Sequence, residues 1–394
     1  MRFDKAFLPA GGYWSTPFCK WGGNFSTLHP LKFAAEIARK ALADRQVDAR
    51  ELEELVLGYT IPSKDCFYGG PWVAGMVGAE GLTGAIISQA CATGAAALAH
   101  AGGKVQCGDN EATLVVLADK TSNGPHLVYP NPMGPGGKPD SEDWVWDSFS
   151  RDPWAKGSML QTAENVAKEA GISREEQDAL TVTRYEQYVA GRDAKFHERY
   201  MVPVEVKPGR KVIATVDFDE GVFATTAEGL AKLRPAMGPE GTVTFGSQTH
   251  PADGNAGLLV CSKERAARYS RDGEPVQLLS YAQARVEKGF MAKAVVPAAR
   301  KALAEAGVGI GDVKVIKTHN PFAVNDVYFA KHMELEVASF NNNGCSLIYG
   351  HPQAPTGARL IIEGVEEARQ AGGGYVLFAG CAAGDTAAAM VLKV

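Results

Sequence analysis

Two cysteines and two histidines stand where their side chains could act as nucleophile and base on a carbonyl group. Cys91 lies in AIISQACATGAAALAHAGG (85–103), between an apolar run and a stretch of small residues. His319 lies in THNPFAVND (318–326), His351 in NNNGCSLIYGHPQAPTGAR (341–359) and Cys381 in FAGCAAGD (378–385). A thiol beside an imidazole is a nucleophile with its base, and a carbonyl substrate also needs N–H groups to hold its oxyanion. Taken singly, each residue has an ordinary reading. A cysteine among Ala and Gly is most often a buried core thiol, and Cys107, Cys261 and Cys345 read that way. The combination of two Cys and two His in glycine-containing loops is what singles out the four.

Local pattern indicates how they would be positioned. The apolar AII before Cys91 reads as a strand, and ATGAAALAHA after it as a helix. The turn between them puts the sulfur at a helix N-terminus, where the macrodipole and free amides are expected to lower its pKa. His319 and Asn320 follow the strand-like VKVIKTH. His351 precedes a second small-residue helix, and Cys381 closes the strand VLFAG.

An internal repeat relates these places. ARKALA occurs at 38–43 and again at 299–304. QACATGAA (89–96) matches PQAPTGAR (352–359) at nearly the same offset, setting Cys91 against Ala354. LVVLAD (114–119) likewise matches VLFAGC (376–381). Each copy runs helix, strand, loop, small-residue helix, strand, which predicts a layered α/β architecture with the equivalent loops gathered at one end. Residues 122–240 have no partner in the repeat and read as an insertion. It opens with a Gly- and Pro-rich stretch expected to lack regular structure. A helical segment broken at GIS follows. Trp144, Trp146 and Trp154 predict that the insertion is a packed flap. The strand-bearing block 241–269 rejoins the first half. The division is thus 1–121 with 241–269, an insertion at 122–240, and a second half at 270–394.

Bulk properties narrow the function. The net charge of −5 and the absence of a Lys/Arg cluster give no support for nucleic-acid binding. No apolar run approaches the ~18 residues of a membrane span. The start, MRFDKAFLPAGGYW, does not read as a signal peptide. Seven scattered cysteines without a CxxC pair argue against disulfides or structural zinc and suggest the cytoplasm.

Together these segments resemble the thiolase family over essentially the whole chain. SQACATGAAA is similar to its nucleophile motif, TAENVAKEAGISREEQDALTVTRYEQ to its loop-domain helices, NNNGCSLIYGHPQAPTGAR to its glycine-histidine-proline signature and GCAAGD to its terminal cysteine motif. The resemblance implies a layered αβαβα fold from two duplicated halves with an inserted loop domain. It implies Cys91 as the acylated nucleophile, His351 as its activator, Cys381 as acid/base, and the amides of Cys91 and Ala383 as an oxyanion hole. His319 falls where many thiolases carry Asn, though trifunctional-complex β-subunits carry His there. Met159, Ser247, Thr249 and Phe322 are the implied substrate-binding residues. GSMLQ, DFDEGVFATT and GSQTH depart from the family's CoA-contacting segments, Thr249 replacing Ser and His250 replacing Gly. The implied reaction is CoA-dependent cleavage of a 3-oxoacyl-CoA to acetyl-CoA and a shortened acyl-CoA, or the reverse condensation. Coenzyme A is then a substrate. No bound cofactor, metal or nucleic-acid partner is implied, and a homodimer or homotetramer is. The alternatives are a ketosynthase-like condensing enzyme, which has no need of Cys381, and a non-catalytic acyl-binding subunit.

Overall fold

The computed structural model describes the backbone of residues 1–394 and every side chain but that of Asn123. Its apolar runs build two sheets on one plan. The first holds β1 (Phe7–Leu8), β2 (Glu54–Gly58), β3 (Ile86–Ile87), β4 (Ala112–Lys120) and β5 (Ala252–Cys261), in the order β3-β2-β4-β5-β1. The second holds β6 (Val276–Arg285), β7 (Val313–His319), β8 (Tyr375–Ala382) and β9 (Thr386–Lys393), in the order β7-β8-β9-β6. The pairs β2–β4 and β7–β8 are parallel, while β4–β5 and β8–β9 are antiparallel. The order and the strand directions therefore repeat. β1 pairs with both β5 and β6 and joins the two sheets.

Helices α1 (Pro30–Asp44), α2 (Thr93–Cys107), α3 (Met159–Glu169), α4 (Arg174–Asp193), α5 (Val295–Ala306), α6 (Ala323–Met333) and α7 (Gln353–Gln370) complete the frame. α1 covers the outer face of the first sheet and α5 that of the second. α2 and α7 pack against each other between the sheets, which gives the layers αβαβα. Strands β4 and β8 read as continuous apolar runs because both their faces are covered. α1 instead shows a stripe, burying Leu31, Ala34, Ala35, Ala38, Ala41 and Leu42 while Lys40 and Asp44 stay exposed.

The central helices approach so closely because small residues lie at their crossing. A Cβ on Gly94 would stand 2.7 Å from the amide nitrogen of Ala358 and 2.8 Å from the carbonyl oxygen of Ala354. α7 is buried along most of its length, charges included. Arg359 meets Asp219 through two bonds of 2.6 and 2.7 Å and Glu363 at 3.0 Å, with its guanidinium 3.8 Å above the Tyr349 ring. Asp219 lies in the segment 122–240 that has no partner in the repeat, so this pair ties that segment to the centre. Arg184 of α4 and Asp326 of α6 form a second fully buried pair at 2.8 Å. Removing one partner of such a pair costs about 3–5 kcal/mol, because the other charge is left buried alone.

The insertion differs from expectation in two respects. The Gly- and Pro-rich stretch forms a hairpin, His126–Tyr129 against Asp140–Asp143, since glycines such as Gly136 and Gly137 at φ +63° and +73° make the turn. Its tryptophans do not all pack inward. Trp144 donates to Thr60 O at 3.0 Å, but Trp146 and Trp154 are 54% and 65% exposed. The break at GIS stands as read: α3 ends, Gly171 takes φ +60°, and Ser173 with Glu176 forms a capping box for α4. Cys107, expected in the core, is exposed at the end of α2, whereas Cys261 and Cys345 are buried. All seven cysteines are free, and among the described residues no helix is long and apolar enough to cross a membrane.

Gly94→Ala places a methyl group against backbone atoms that cannot swing away. It is expected to lower stability by about 1–3 kcal/mol in urea unfolding, whereas Gly103→Ala on the open side of α2 leaves the midpoint unchanged or raised.

Candidate active site

A strained turn presents Cys91. Ala90 takes φ +44°, which a residue with a side chain adopts only when its surroundings enforce it. Thr93 supplies that enforcement. Its Oγ1 accepts the Gln89 N–H at 2.8 Å and donates to Ala90 O at 2.7 Å, just where α2 begins. The backbone N–H groups of Cys91 and Ala383 are near enough to the Cys91 sulfur to favour its thiolate. Ala383 lies in the turn joining β8 to β9, so the two donors come from different halves. The expected drop in thiol pKa is overturned. Burial pushes Cys91 up to about 12, and the two amides only partly offset it. A helix N-terminus acts through about half a charge, which is too little against desolvation here.

His351 follows Gly350, which takes φ +93°, and its N–H donates to His250 O at 3.0 Å. Its Nδ1 lies 2.7 Å from Thr356 Oγ1. The Thr356 hydroxyl donates to Pro352 O at 3.0 Å, so its oxygen accepts from Nδ1–H. His319 closes β7 with its Nδ1 2.8 Å from Ser346 Oγ. That hydroxyl donates to Asn320 Oδ1 at 3.1 Å, so the same tautomer is set. Both Nε2 atoms are buried without a partner. The rings lie 4.1 Å apart at 35°, and Cys91 Sγ and one nitrogen of each ring lie within 4.8 Å of one another. Burial pushes His319 down to about 3 and, with His319 beside it, His351 well below its usual value. Both imidazoles are neutral near pH 7.

Cys381 lies on β8, fully buried, beside Gly380, whose register partner is His319. Asn325 Nδ2 donates to its sulfur at 3.1 Å. Burial and the neighbouring Cys91 sulfur hold it well above the ordinary thiol range. The resting site therefore holds two thiols and two neutral imidazoles, each imidazole with an unpartnered Nε2.

The repeat reaches the site in the two threonines. Thr93 and Thr356 match in QACATGAA and PQAPTGAR, and one fixes the Cys91 turn while the other fixes the His351 ring. Asp119 links the halves from below. It accepts the N–H groups of Thr60, Ile61 and Ala354 at 2.8, 3.0 and 2.7 Å, the last from the first turn of α7. Sequence reading missed Asp119, Asn325, Ser346 and both threonines. The repeated Thr-Gly carried a signal for the threonines; a lone Ser, Asn or Asp carried none.

The remaining residues divide. Segment 246–250 runs beside 321–323, with Thr249 N–H donating to Pro321 O at 2.7 Å and Ala323 N–H to Ser247 O at 2.9 Å. Phe322 is buried in this contact, and Thr249 Oγ1 donates to Ser346 O at 2.5 Å. Ser247 is fully buried, and its hydroxyl accepts Thr244 N–H at 2.9 Å, so it has no free surface to offer a substrate. Met159 is half-buried at the first turn of α3.

Two family models cover nearly the whole chain: the thiolase N-terminal domain at residues 13–264 and the thiolase C-terminal domain at 274–394. The chain is 31% identical over 387 residues to the beta-ketothiolase BktB of Cupriavidus necator, covering 95% of each. It is 29% identical over 383 residues to the mitochondrial 3-ketoacyl-CoA thiolase of Bos taurus, covering 96% of each. The crystal structure of human mitochondrial 3-ketoacyl-CoA thiolase in complex with CoA superposes with a TM-score of 0.91 at 26% identity, covering 100% of this chain and 99% of that one.

Buried neutral histidines make a pH prediction. His197, His250, His319 and His351 all have folded pKa values below the 6.5 of an ordinary histidine, His250 near 4 and His319 near 3. Between pH 6.5 and 3 the unfolded chain binds protons that the folded one does not. Their contribution is full above pH 6.5 and is lost as the pH falls. Asp119, pushed up to about 6 by burial, opposes this between pH 6 and 4. In urea unfolding, His319→Asn is expected to remove up to one proton from the acid slope, about 1.4 kcal/mol per pH unit.

Proposed function

The chain belongs to the thiolase family, and on that premise we propose that it cleaves a 3-oxoacyl-CoA with coenzyme A, or runs the reverse condensation, through an acyl group on Cys91. The observation that carries this reading is the cluster of the Cys91 sulfur and one nitrogen of each of two buried imidazoles within 4.8 Å of one another, with the Nε2 of each ring unpartnered. His351 Nε2 takes the S–H proton of Cys91 as the sulfur attacks the 3-keto carbon. A thiol held near 12 is not ionised beforehand, so proton transfer and attack are coupled, and the resulting imidazolium lies beside the charge that develops. The amides of Cys91 and Ala383 receive the oxyanion.

Breaking the C2–C3 bond leaves the acyl group on Cys91 and the electron pair on an acetyl-CoA enolate. Protonated His351 donates to the enolate oxygen. His319, with its Nε2 lone pair free, accepts from a water that donates to the same oxygen. Cys381 gives its proton to C2 and regains one from the incoming CoA thiol. That thiol then takes the acyl group, and His351 returns the first proton to Cys91. Coenzyme A is in this reading a substrate, with no further cofactor. Thr249, Phe322 and Met159 are the chain's candidates for contact with the acyl-CoA. Ser247 supports them only through its backbone.

The edge strand β3 supports assembly into a homodimer or homotetramer, since Ile86 is 41% exposed and a bare strand edge is a pairing surface. Seven free cysteines support a reducing compartment such as the cytoplasm. Cys381 beside Cys91 favours the thiolase reading over a decarboxylating condensing enzyme, which does not use a second thiol.

Cys91→Ala is expected to lose at least about 10³-fold in kcat for 3-oxoacyl-CoA cleavage. Cys381→Ala is expected to lose cleavage and condensation while keeping acyl exchange between acyl-CoA and free CoA. Cleavage by Cys91→Ala near the parent rate overturns the reading, as does full cleavage by Cys381→Ala.

A further inference from the structure

The donor set at the centre has a second capability. Cys91, His319 and His351 offer one sulfur and two imidazole nitrogens within 4.8 Å of one another. Sulfur and imidazole are the ligands that zinc prefers, and three protein ligands with one open position suffice to bind it. Metal-bound histidines almost always donate their other ring N–H to an oxygen, which fixes the tautomer. Both rings already do so, His351 to Thr356 Oγ1 at 2.7 Å and His319 to Ser346 Oγ at 2.8 Å. Both Nε2 lone pairs are buried and unpartnered, with the residues 6% and 0% exposed.

We infer that Cys91, His319 and His351 form a binding site for Zn²⁺, which inhibits acyl transfer by occupying the nucleophile and its base. In the binding step Zn²⁺ bonds to Sγ as the S–H proton leaves to solvent, and to each Nε2 through its lone pair. No electron is transferred. Zinc bond lengths of about 2.3 Å to sulfur and 2.0–2.1 Å to nitrogen at tetrahedral angles set the ligand atoms about 3.4–3.6 Å apart, so from within 4.8 Å binding draws them together by at most about 1.4 Å. An acyl group on Cys91 and zinc exclude each other, since both occupy the same sulfur.

The test uses the chelator-treated, full-length protein with Zn²⁺ alone, titrated in competition with a chromophoric chelator. The expected result is one Zn²⁺ per chain, loss of thiolytic activity at the same zinc concentrations, and recovery on adding EDTA. Cys91→Ser and His319→Asn are each expected to weaken binding by more than the roughly 10–100-fold of a lost supporting hydrogen bond, and Thr356→Val by about that amount. Co²⁺ in place of zinc is expected to give a near-ultraviolet thiolate charge-transfer band that Cys91→Ser lacks. Circular dichroism checks that each variant is folded. Protein alkylated with iodoacetamide, its occupancy at Cys91 checked by peptide mapping and Cys91→Ala alkylated alongside to account for Cys66 and Cys107, gives the same comparison. Equal zinc binding by untreated and alkylated protein, or no stoichiometric binding, overturns the inference. Turnover of the metal-free enzyme tests the acyl-transfer reading separately.

Discussion

Everything at the site depends on how closely α2 and α7 approach. Gly94 lets the two helices touch backbone to backbone, and each helix begins at a loop that carries chemistry. One loop holds Cys91 and the other His351. Were the helices held a methyl group further apart, the loops that carry nucleophile and base would move apart with them. The duplication explains why the crossing contains the same Thr-Gly pair twice. Gly94 admits the opposite helix and Gly357 makes room for the Phe378 ring, while each threonine turns its hydroxyl back to fix the residue that its loop presents. Burial of Arg359, Glu363 and Asp219 has the same origin. A helix between two sheets has little solvent-facing side, so its charges must find partners inside, and the insertion provides one.

Burial also sets the electrostatics. Desolvation raises both thiols and lowers both imidazoles, so the resting site holds no ion that the enclosure would penalise. Charge appears only as Cys91 yields its proton to His351, and the backbone N–H groups of Cys91 and Ala383, which favour the thiolate, are then already near. The groups that hold this state are themselves uncharged: Thr356, Ser346, Asn320 and Asn325. Asn320 relays between Ser346 and the buried pair of Asp326 and Arg184, through bonds of 3.1 Å to Ser346 Oγ and 2.7 Å to Asp326 Oδ2. The orientation of His319 thus reaches back to the contact that seats α4 on α6.

Much of this was legible in the chain. The repeat of ARKALA, the paired Thr-Gly and the two apolar strands foretold a duplicated layered fold, because periodicity survives where identity does not. Cys91, His351 and Cys381 could be found because each sits in a glycine-bearing motif. Other features were not legible. The pKa of Cys91 turned on how much protein surrounds it, and a local sequence reports only the helix that follows. Cys107 lies in KVQCGDN at the end of a helix whose earlier turns are small and buried, yet the end of α2 emerges into solvent. Ser346, Asn325 and Asp119 act through partners 27, 56 and 235 residues away, and no local pattern marks such contacts. Trp146 and Trp154 read as core residues by size alone, but lie on an exposed face of the insertion.

The central claim is that the acyl group resides on Cys91, and covalent trapping tests it most directly. Metal-free protein is mixed with acetyl-CoA, quenched in acid and mapped by peptide mass spectrometry. The account predicts one acetyl group, on the peptide carrying Cys91, which disappears when free CoA is added before the quench. Acetyl on Cys381 instead, or turnover with no acyl-protein at any time point, would contradict it.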